Sequence, residues 1–382
     1  MLEQIHLRGI LSFKDTTLDL RPLNVVIGPN GSGKSNLIEA LNILRATPSD
    51  VWGTIRAAGG FEHLVWKGSD ESVRLKSVEV GVALQRLDRR YRYRLTCEGL
   101  TVAYLIGEKI EEQDSVGIWR PVVDRDAEKA KLSGCDGIQD VQREDLFEMQ
   151  SILAQIKEPV QYPYLANLSS YLESVRIYRS SILGPEAPAR WPQTADMEND
   201  RLREDGRNLG LVLNRLERDA SLSRIEDYLS RFLKSYKRIS IQVEGGTVQI
   251  FLAERDLRTL IPATRISDGT LHFLSLMAIL CHPNPGTLVC IEEPEVGLHP
   301  DAVLLVAEAM KEASQRTQLI VTTHSEALVD ALSDQPESII VCERGSDGST
   351  QFSRLSSSDL DAWLEEYSLG RLWRKGEIGA NP

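Results

Sequence analysis

Cysteine is scarce and unpatterned in this chain. Five cysteines, Cys97, Cys135, Cys281, Cys290 and Cys342, are spread over 382 residues, and none stands in a C-x-x-C pair or at zinc-finger distance from histidines. This excludes a disulfide scaffold and a structural zinc module, and it predicts reduced thiols in a cytoplasmic protein. Long apolar runs are missing too. No stretch reaches the roughly 18 residues of a membrane span, and the opening MLEQIHLRGILSFKD lacks the apolar core of a signal peptide. A soluble, unsecreted protein without a membrane role is expected. Basic excess is also absent. A formal net charge of -12 argues against a surface coated for indiscriminate nucleic-acid binding, so a local basic groove is the remaining route to DNA. No internal repeat is visible, and prolines interrupt the helical patterns before three heptads accumulate, which excludes a long coiled coil.

What is present is concentrated in a few short motifs. Residues Gly28 to Ser35 read GPNGSGKS, a complete Walker A loop, directly after the apolar run Leu23 to Ile27. Gly28, Gly31 and Gly33 allow backbone conformations closed to other residues, so the N–H groups of Asn30, Gly31, Ser32, Gly33, Lys34, Ser35 and Asn36 can converge on phosphate oxygens. Ser35 opens a predicted helix with Leu37, Ile38, Leu41 and Leu44 at helical spacing, and its N-terminus adds partial positive charge. Lys34 is placed to reach the β- and γ-phosphates of ATP, and the Ser35 hydroxyl to ligate Mg2+.

Around this loop the pattern is α/β. Short alternating strands precede it, Gly53, Gly59 and Gly60 mark loops after it, and residues 73 to 105 read as a β-meander. The polar stretch from 107 to 140 reads as surface loops. Helical spacing returns over Leu146 to Ile156 and Leu165 to Val175, and again over Leu209 to Leu216 and Ile225 to Phe232. Between these pairs, GPEAPARWP at Gly184 to Pro192 holds three prolines and reads as a connection or an exposed flap. Strands are expected at Ile239 to Val243 and Thr247 to Leu252.

The second informative region begins at Thr287. The run TLVCIEEPE reads as a buried strand ending in acids, where Glu292 can hold Mg2+ and Glu293 can orient or deprotonate an attacking water. The strand Gln318 to Thr323 ends at His324, at the strand end where open parallel sheets bind ligands, and His324 is assigned a γ-phosphate contact. His299, in GLHP, fits either a subunit contact or packing at the start of a helix. Ser267-Asp268-Gly269-Thr270 opens an apolar helix, and Ser267 and Gly269 can present a hydroxyl and N–H groups to an anion.

The order of these motifs resembles the ABC-type ATPase heads, in the branch holding RecF, the SMC proteins and the OLD-family ATPases, above all the compact AAA-family ATPases. The resemblance covers nearly the whole chain, including GILSFKD, GGFEHLVWKG, LREDGRNLGLVLNRL, SDGT, IEEPEVGLHP, TTHS and the tail YSLGRLWRKGEIG. It implies a P-loop NTPase fold with a β-rich subregion and an inserted helical lobe. Residues 1–145 would form the first half of the core, 146–239 the helical lobe and 240–382 the second half. It further implies a homodimer closed by ATP, in which Lys34, Ser35, Glu292, Glu293 and His324 of one head meet Ser267 and Gly269 of the other. Glu292 stands where ABC proteins carry Asp, and SDGT replaces Ser-Gly-Gly-Gln. The Q-loop glutamine is not placed, although Gln85 lies in the β-rich region.

SMC relatives carry long coiled coils and OLD nucleases a Toprim domain; neither is visible here. Asp359 and Asp361 read as an exposed capping cluster, so no nuclease activity is expected of this chain. The expected function is an ATP-hydrolysing molecular switch acting on DNA or on a nuclease or toxin effector encoded nearby, in repair or antiviral defence. The alternatives are a transporter ATPase subunit and a scaffold that sequesters a toxin or nuclease with little turnover. For DNA, Arg90, Arg92 and Arg94 alternate with apolar residues and would share one strand face, with Lys234, Lys237 and Arg238 as a second cluster. Both also fit as the solvated side of a strand.

Overall fold

The computed structural model describes residues 1–68, 76–99, 103–126, 129–142, 145–179, 184, 186–356 and 367–379; Asp359 and Asp361 lie outside them. The chain opens with β1 (Leu2–Ile10), β2 (Phe13–Asp19), β3 (Leu23–Ile27), α1 (Lys34–Ala46), α2 (Val51–Ala57) and α3 (Phe61–Leu64). Six strands follow: β4 (Lys76–Arg86), β5 (Arg89–Gly99), β6 (Ala103–Gln113), β7 (Trp119–Asp126), β8 (Lys129–Gly134) and β9 (Gly137–Gln142). The middle of the chain holds α4 (Ile152–Gln155), α5 (Pro163–Glu173), β10 (Arg176–Tyr178), β11 (Gln193–Thr194), α6 (Leu209–Arg218) and α7 (Ser223–Phe232). Strands β12 (Tyr236–Glu244), β13 (Thr247–Glu254) and β14 (Ile261–Pro262) come next. The remainder is α8 (Asp268–Leu280), β15 (Leu288–Glu292), α9 (Pro300–Ala313), β16 (Gln318–Thr322), α10 (Glu326–Asp330), β17 (Ile339–Arg344), β18 (Thr350–Arg354) and α11 (Leu369–Arg374).

These elements gather into two compact units, one of Met1–Arg21, Gly28–Val175 and Ile340–Arg354, the other of Pro22–Ile27, Arg176–Ile339 and Leu355–Pro382. The first unit is built on an antiparallel sheet in the order β2-β1-β4-β5-β6-β7-β8-β9. Alternation explains its two faces: on β5, Tyr91, Tyr93, Leu95 and Cys97 are buried while Arg90, Arg92 and Arg94 are exposed. Helix α1 buries Leu37, Ile38, Leu41 and Leu44 and packs against α2 and α5.

Three sequence expectations fail in this unit. The polar stretch from 107 to 140 is strand, not loop: β6 runs on to Gln113, and β7, β8 and β9 follow. Its strands hide few apolar residues, Ile110 on β6, Val123 on β7 and Ala130 and Leu132 on β8, and β9 is exposed at nearly every position, so the stretch reads as polar. Gly53 lies inside α2, where its N–H donates to the N-cap carboxylate of Asp50 at 2.8 Å. The helix expected from Leu146 reduces to α4: the Phe147 carbonyl closes a tight turn with the Gln150 N–H at 3.1 Å, and the carbonyls of Phe147 and Gln150 also accept from the buried Arg125 guanidinium at 3.0 and 2.6 Å.

In the second unit, four strands run parallel in the order β10-β15-β16-β3. Their continuous apolar character, with β3 and β16 buried throughout, is that of a sheet covered on both faces. Helix α9 packs on β16 and α8. A smaller antiparallel sheet, β11-β13-β12 with β14 beside β13, packs with α6 and α7. Two-residue turns at Gly245-Gly246 join its long hairpin.

Candidate nucleotide-binding site

The Walker loop leaves β3 by one peptide bond. Its backbone is wound into a cup: Gly31 has φ 75° and Gly33 φ 118°, the left-handed region that glycine alone enters freely. Gly33 is further required by space, since a Cβ there would lie 2.2 Å from Thr350 Oγ1. Helix α1 begins at Lys34, and the first intrahelical bond comes from Leu37 N–H to the Gly33 carbonyl. The first N–H groups of α1 therefore lie at a helix start, where no preceding turn supplies their carbonyls. Lys34 is buried, and its ammonium donates to the Gly28 and Pro29 carbonyls at 2.7 and 3.0 Å. A cation held against loop carbonyls at a helix N-terminus is chemistry that fits a phosphate chain. Asn30, Gly31 and Ser35 are exposed at the mouth, and Ser32 and Gly33 are buried in its wall.

Residues without a sequence signal brace this loop. Thr350 Oγ1 lies 2.6 Å from the Ser32 carbonyl and 2.7 Å from Ser12 Oγ, which accepts from the Asn36 amide at 2.8 Å. Arg344 Nε donates to the Gly31 carbonyl at 2.8 Å. The side chain of Asn36 is thus turned toward the β1–β2 turn.

In the second unit the acids gather at the carboxyl end of the parallel sheet. Glu292 pairs in register with Thr322, so Glu293 and His324 emerge from neighbouring strand ends, with His324 Nε2 3.8 Å from Glu293 Oε1. Glu293 holds φ 48°, an uncommon conformation for glutamate, while its N–H donates to the Thr322 carbonyl at 2.9 Å. Such local strain persists where the surrounding structure enforces a side-chain direction. Glu295, passed over in the sequence, accepts the His324 N–H at 2.7 Å, and burial pushes its carboxyl above the usual carboxylate range. Next to Glu292 stands Arg179, one residue beyond the Tyr178–Ile291 pair, with its Nε 3.9 Å from Glu292 Oε2. Glu292 supplies carboxylate oxygens of the hard type that Mg2+ takes.

Helix α8 starts as the sequence predicts. Ser267 is its N-cap, accepting the Thr270 N–H at 3.2 Å. Gly269 lies against the loop after the acids, where a Cβ would come 2.8 Å from the Gly297 carbonyl. His272 Nε2 lies 3.0 Å from the Pro294 carbonyl and ties the same helix to that loop. His299 caps α9, its Nδ1 accepting the Asp301 N–H at 3.3 Å, and its side chain is exposed.

The arginine stripe on β5 is exposed, and each member is matched. Arg90 donates to Glu3 at 2.7 and 3.0 Å, Arg94 lies 3.3 Å from Glu79, and the Arg92 guanidinium stacks 4.1 Å from the Trp119 ring. Lys237 and Arg238 are exposed on β12. Gln85 lies on β4, its N–H bonded to the Met1 carbonyl at 2.8 Å.

A P-loop strand followed by a glycine cup, and acids with a histidine on the adjacent parallel strands, define an ABC-type ATPase head of the RecF, SMC and OLD branch. Residues 23–330 match the family described as AAA domain, putative AbiEii toxin, Type IV TA system, and the chain belongs to that family. It is 21% identical over 349 residues to an ATP/GTP phosphatase of Helicobacter pylori, covering 87% of each chain. It is also 21% identical over 362 residues to the Old nuclease of Escherichia phage P2, covering 86% of this chain but only 57% of that protein. Among solved structures, an SMC head bound to the C-terminal winged-helix domain of ScpA shares the fold with TM-score 0.56 at 15% identity, covering 94% of this chain and 99% of that one. A Pyrococcus furiosus SMC head with an extended coiled coil gives TM-score 0.52 at 14% identity over 96% of this chain and 98% of that one. Among the described residues no helix is long and apolar enough to cross a membrane.

Proposed function

We propose that the chain is an ATP-hydrolysing switch whose heads dimerise on ATP and pass that state to DNA or to a partner effector. The observation that carries this reading is the pairing of Glu293 with His324, 3.8 Å apart on adjacent parallel strand ends beside Glu292. In this reading Asn30, Gly31, Ser32, Gly33, Lys34, Ser35 and Asn36 hold the phosphates, and Ser35 and Glu292 hold Mg2+. The metal, when bound, neutralises charge on the phosphate oxygens. Glu293 takes the proton of the attacking water, and His324 contacts the γ-phosphate from the neighbouring strand. Ser267 and Gly269 of a second head complete the site, and residues 146–239 carry the movement outward as a helical lobe. The organisation into a core of residues 1–145 and 240–382 around that lobe belongs to the same proposal.

The test is Glu293→Gln. It should bind ATP as the parent does, lower turnover by about 10²- to 10⁴-fold, the usual worth of a general base, and accumulate an ATP-bound dimer by light scattering. Turnover at the parental rate would remove Glu293 from this role. A second reading has one observation in its favour, the toxin–antitoxin description of the family: a scaffold that binds ATP and sequesters a toxin or nuclease with little turnover. Negligible ATP hydrolysis by the parent protein, with intact ATP-dependent capture of such a partner, would select it.

A further inference from the structure

The stretch Gly184 to Pro192, expected as a connection or an exposed flap, is partly buried among its described residues. Ala187, Ala189 and Arg190 are buried, and a short 3-10 turn at Pro188–Arg190 delivers the Arg190 guanidinium to the start of α8. There four of its five N–H donors meet acceptors. Nη1 donates to the Ala263 and Ile266 carbonyls at 3.1 and 2.7 Å, Nε to the Gly184 carbonyl at 3.0 Å, and Nη2 to Asp268 Oδ1. The Gly184 N–H also donates to Asp268 Oδ1 at 3.3 Å. The side chain of Arg190 is 9% exposed and that of Asp268 50%.

The acceptors matter by position. Ala263 and Ile266 lie in the turn leading into the N-cap, and Asp268 is the first residue of α8. Arg190 therefore fixes the residues on both sides of Ser267, and with them the direction of the Ser267 hydroxyl and of the first N–H groups of the helix. A lysine could not replace this fork, since one ammonium cannot meet four acceptors spread over a planar frame. The arrangement has an electrostatic side. A guanidinium at a helix N-terminus opposes the helix dipole, and Asp268 offsets it. The pair is thus close to neutral, and the helix dipole is left to set the field at Ser267.

We propose that Arg190 is a positioning residue for the phosphate-reading end of α8, acting through Ser267 and Gly269 on the nucleotide held by a second copy of this chain. The proposal rests on the ATP-closed dimer proposed above. It predicts a defect confined to what one head offers its partner, with the binding of nucleotide by its own loop unchanged.

The experiment uses the full chain in the Glu293→Gln background, alone and with Arg190→Met or Arg190→Lys. Three quantities are read: binding of a fluorescent ATP analogue, dimer formation with ATP by light scattering, and hydrogen exchange of the α8 amides. Arg190→Met should bind nucleotide within about twofold of its parent, dimerise at least tenfold more weakly, and exchange Thr270 and Leu271 N–H at least tenfold faster. Arg190→Lys should fall between. Dimerisation at the parental level, unchanged exchange at Thr270 and Leu271, or a loss of nucleotide binding equal to the loss of dimer would each overturn the proposal. If Glu293→Gln itself stays monomeric with ATP, the dimer reading fails, and a role for Arg190 across two heads falls with it; the exchange data then report only local anchoring.

Discussion

Glu108 is a carboxyl group with no access to water, and removing it should be strongly destabilising. Its side chain is 0% exposed and that of its partner Arg125 3%. Glu108 accepts from Tyr93 Oη at 2.7 Å, from the Ile152 N–H at 2.7 Å, from Ser151 Oγ, and from Arg125 Nη1 at 3.5 Å. Burial pushes its carboxyl above the usual range, while the donors of Ile152, Ser151 and Tyr93 and the Arg125 guanidinium act in the opposite direction. Glu108→Ala leaves three neutral donors unmet and a buried guanidinium without its counter-charge. Breaking such a pair costs about 3–5 kcal/mol. Arg125 keeps its bonds to the Phe147 and Gln150 carbonyls, so the lower end, about 3 kcal/mol, is expected. With a urea dependence of about 3 kcal/mol per molar for a domain of this size, the midpoint followed by tryptophan fluorescence should fall by about 1 M. Glu108→Leu combined with Arg125→Met should lose less than the two single changes together, because the pair then leaves no lone charge. A single-mutant loss under about 1 kcal/mol, or strict additivity, would refute a buried pair that pins residues 147–152 to the sheet.

What was legible in the sequence follows from how local each signal is. The strand, cup and helix from Leu23 to Ala46 could be read because consecutive residues dictate every part, from apolar strand to glycine φ to amphipathic helix. Ser267 as a helix cap and the strand ending at Glu292 were legible for the same reason. The misreadings have non-local causes. Strand β9 is exposed at nearly every position, so it carries no alternation to detect, and only its register with β8 makes it a strand. The apolar spacing from Leu146 to Ile156 mimics a helix, yet Arg125 claims its carbonyls from over 20 residues upstream. Arg190 carried no signal in its proline-rich stretch because three of its four acceptors, on Ala263, Ile266 and Asp268, lie more than 70 residues further on. Arg179 is recognisable beside Glu292 only once β10 is paired with β15.

Three further changes probe the site. Gly33→Ala should abolish binding of a fluorescent ATP analogue, since its Cβ would meet Thr350 Oγ1 at 2.2 Å at a φ of 118°; retained binding would mean that the cup tolerates a side chain. Arg179→Ala removes a half-exposed cation 3.9 Å from the carboxylate assigned to Mg2+. Screening leaves that interaction about 1 kcal/mol, so Mn2+ binding in the presence of ADP, read by electron paramagnetic resonance, should tighten by about fivefold, and no change would separate Arg179 from the metal acid. The last prediction concerns pH. His272 is buried, its Nε2 faces the Pro294 carbonyl, and its Nδ1 has no hydrogen-bond partner among the described residues. The neutral ring fits with Nε2–H donating; a second proton on Nδ1 would be buried without an acceptor, and burial accordingly lowers its pKa below 6.5. The unfolded chain then binds more protons than the folded one below about pH 6.5, so stability falls as the pH drops through that value and is flat above it. His282, also lowered by burial, titrates in the same window, so His272→Gln should flatten only part of the acid slope in urea midpoints. An undiminished slope in that variant would show that the contact between α8 and the acid loop does not sense protonation, and would assign the whole effect to His282.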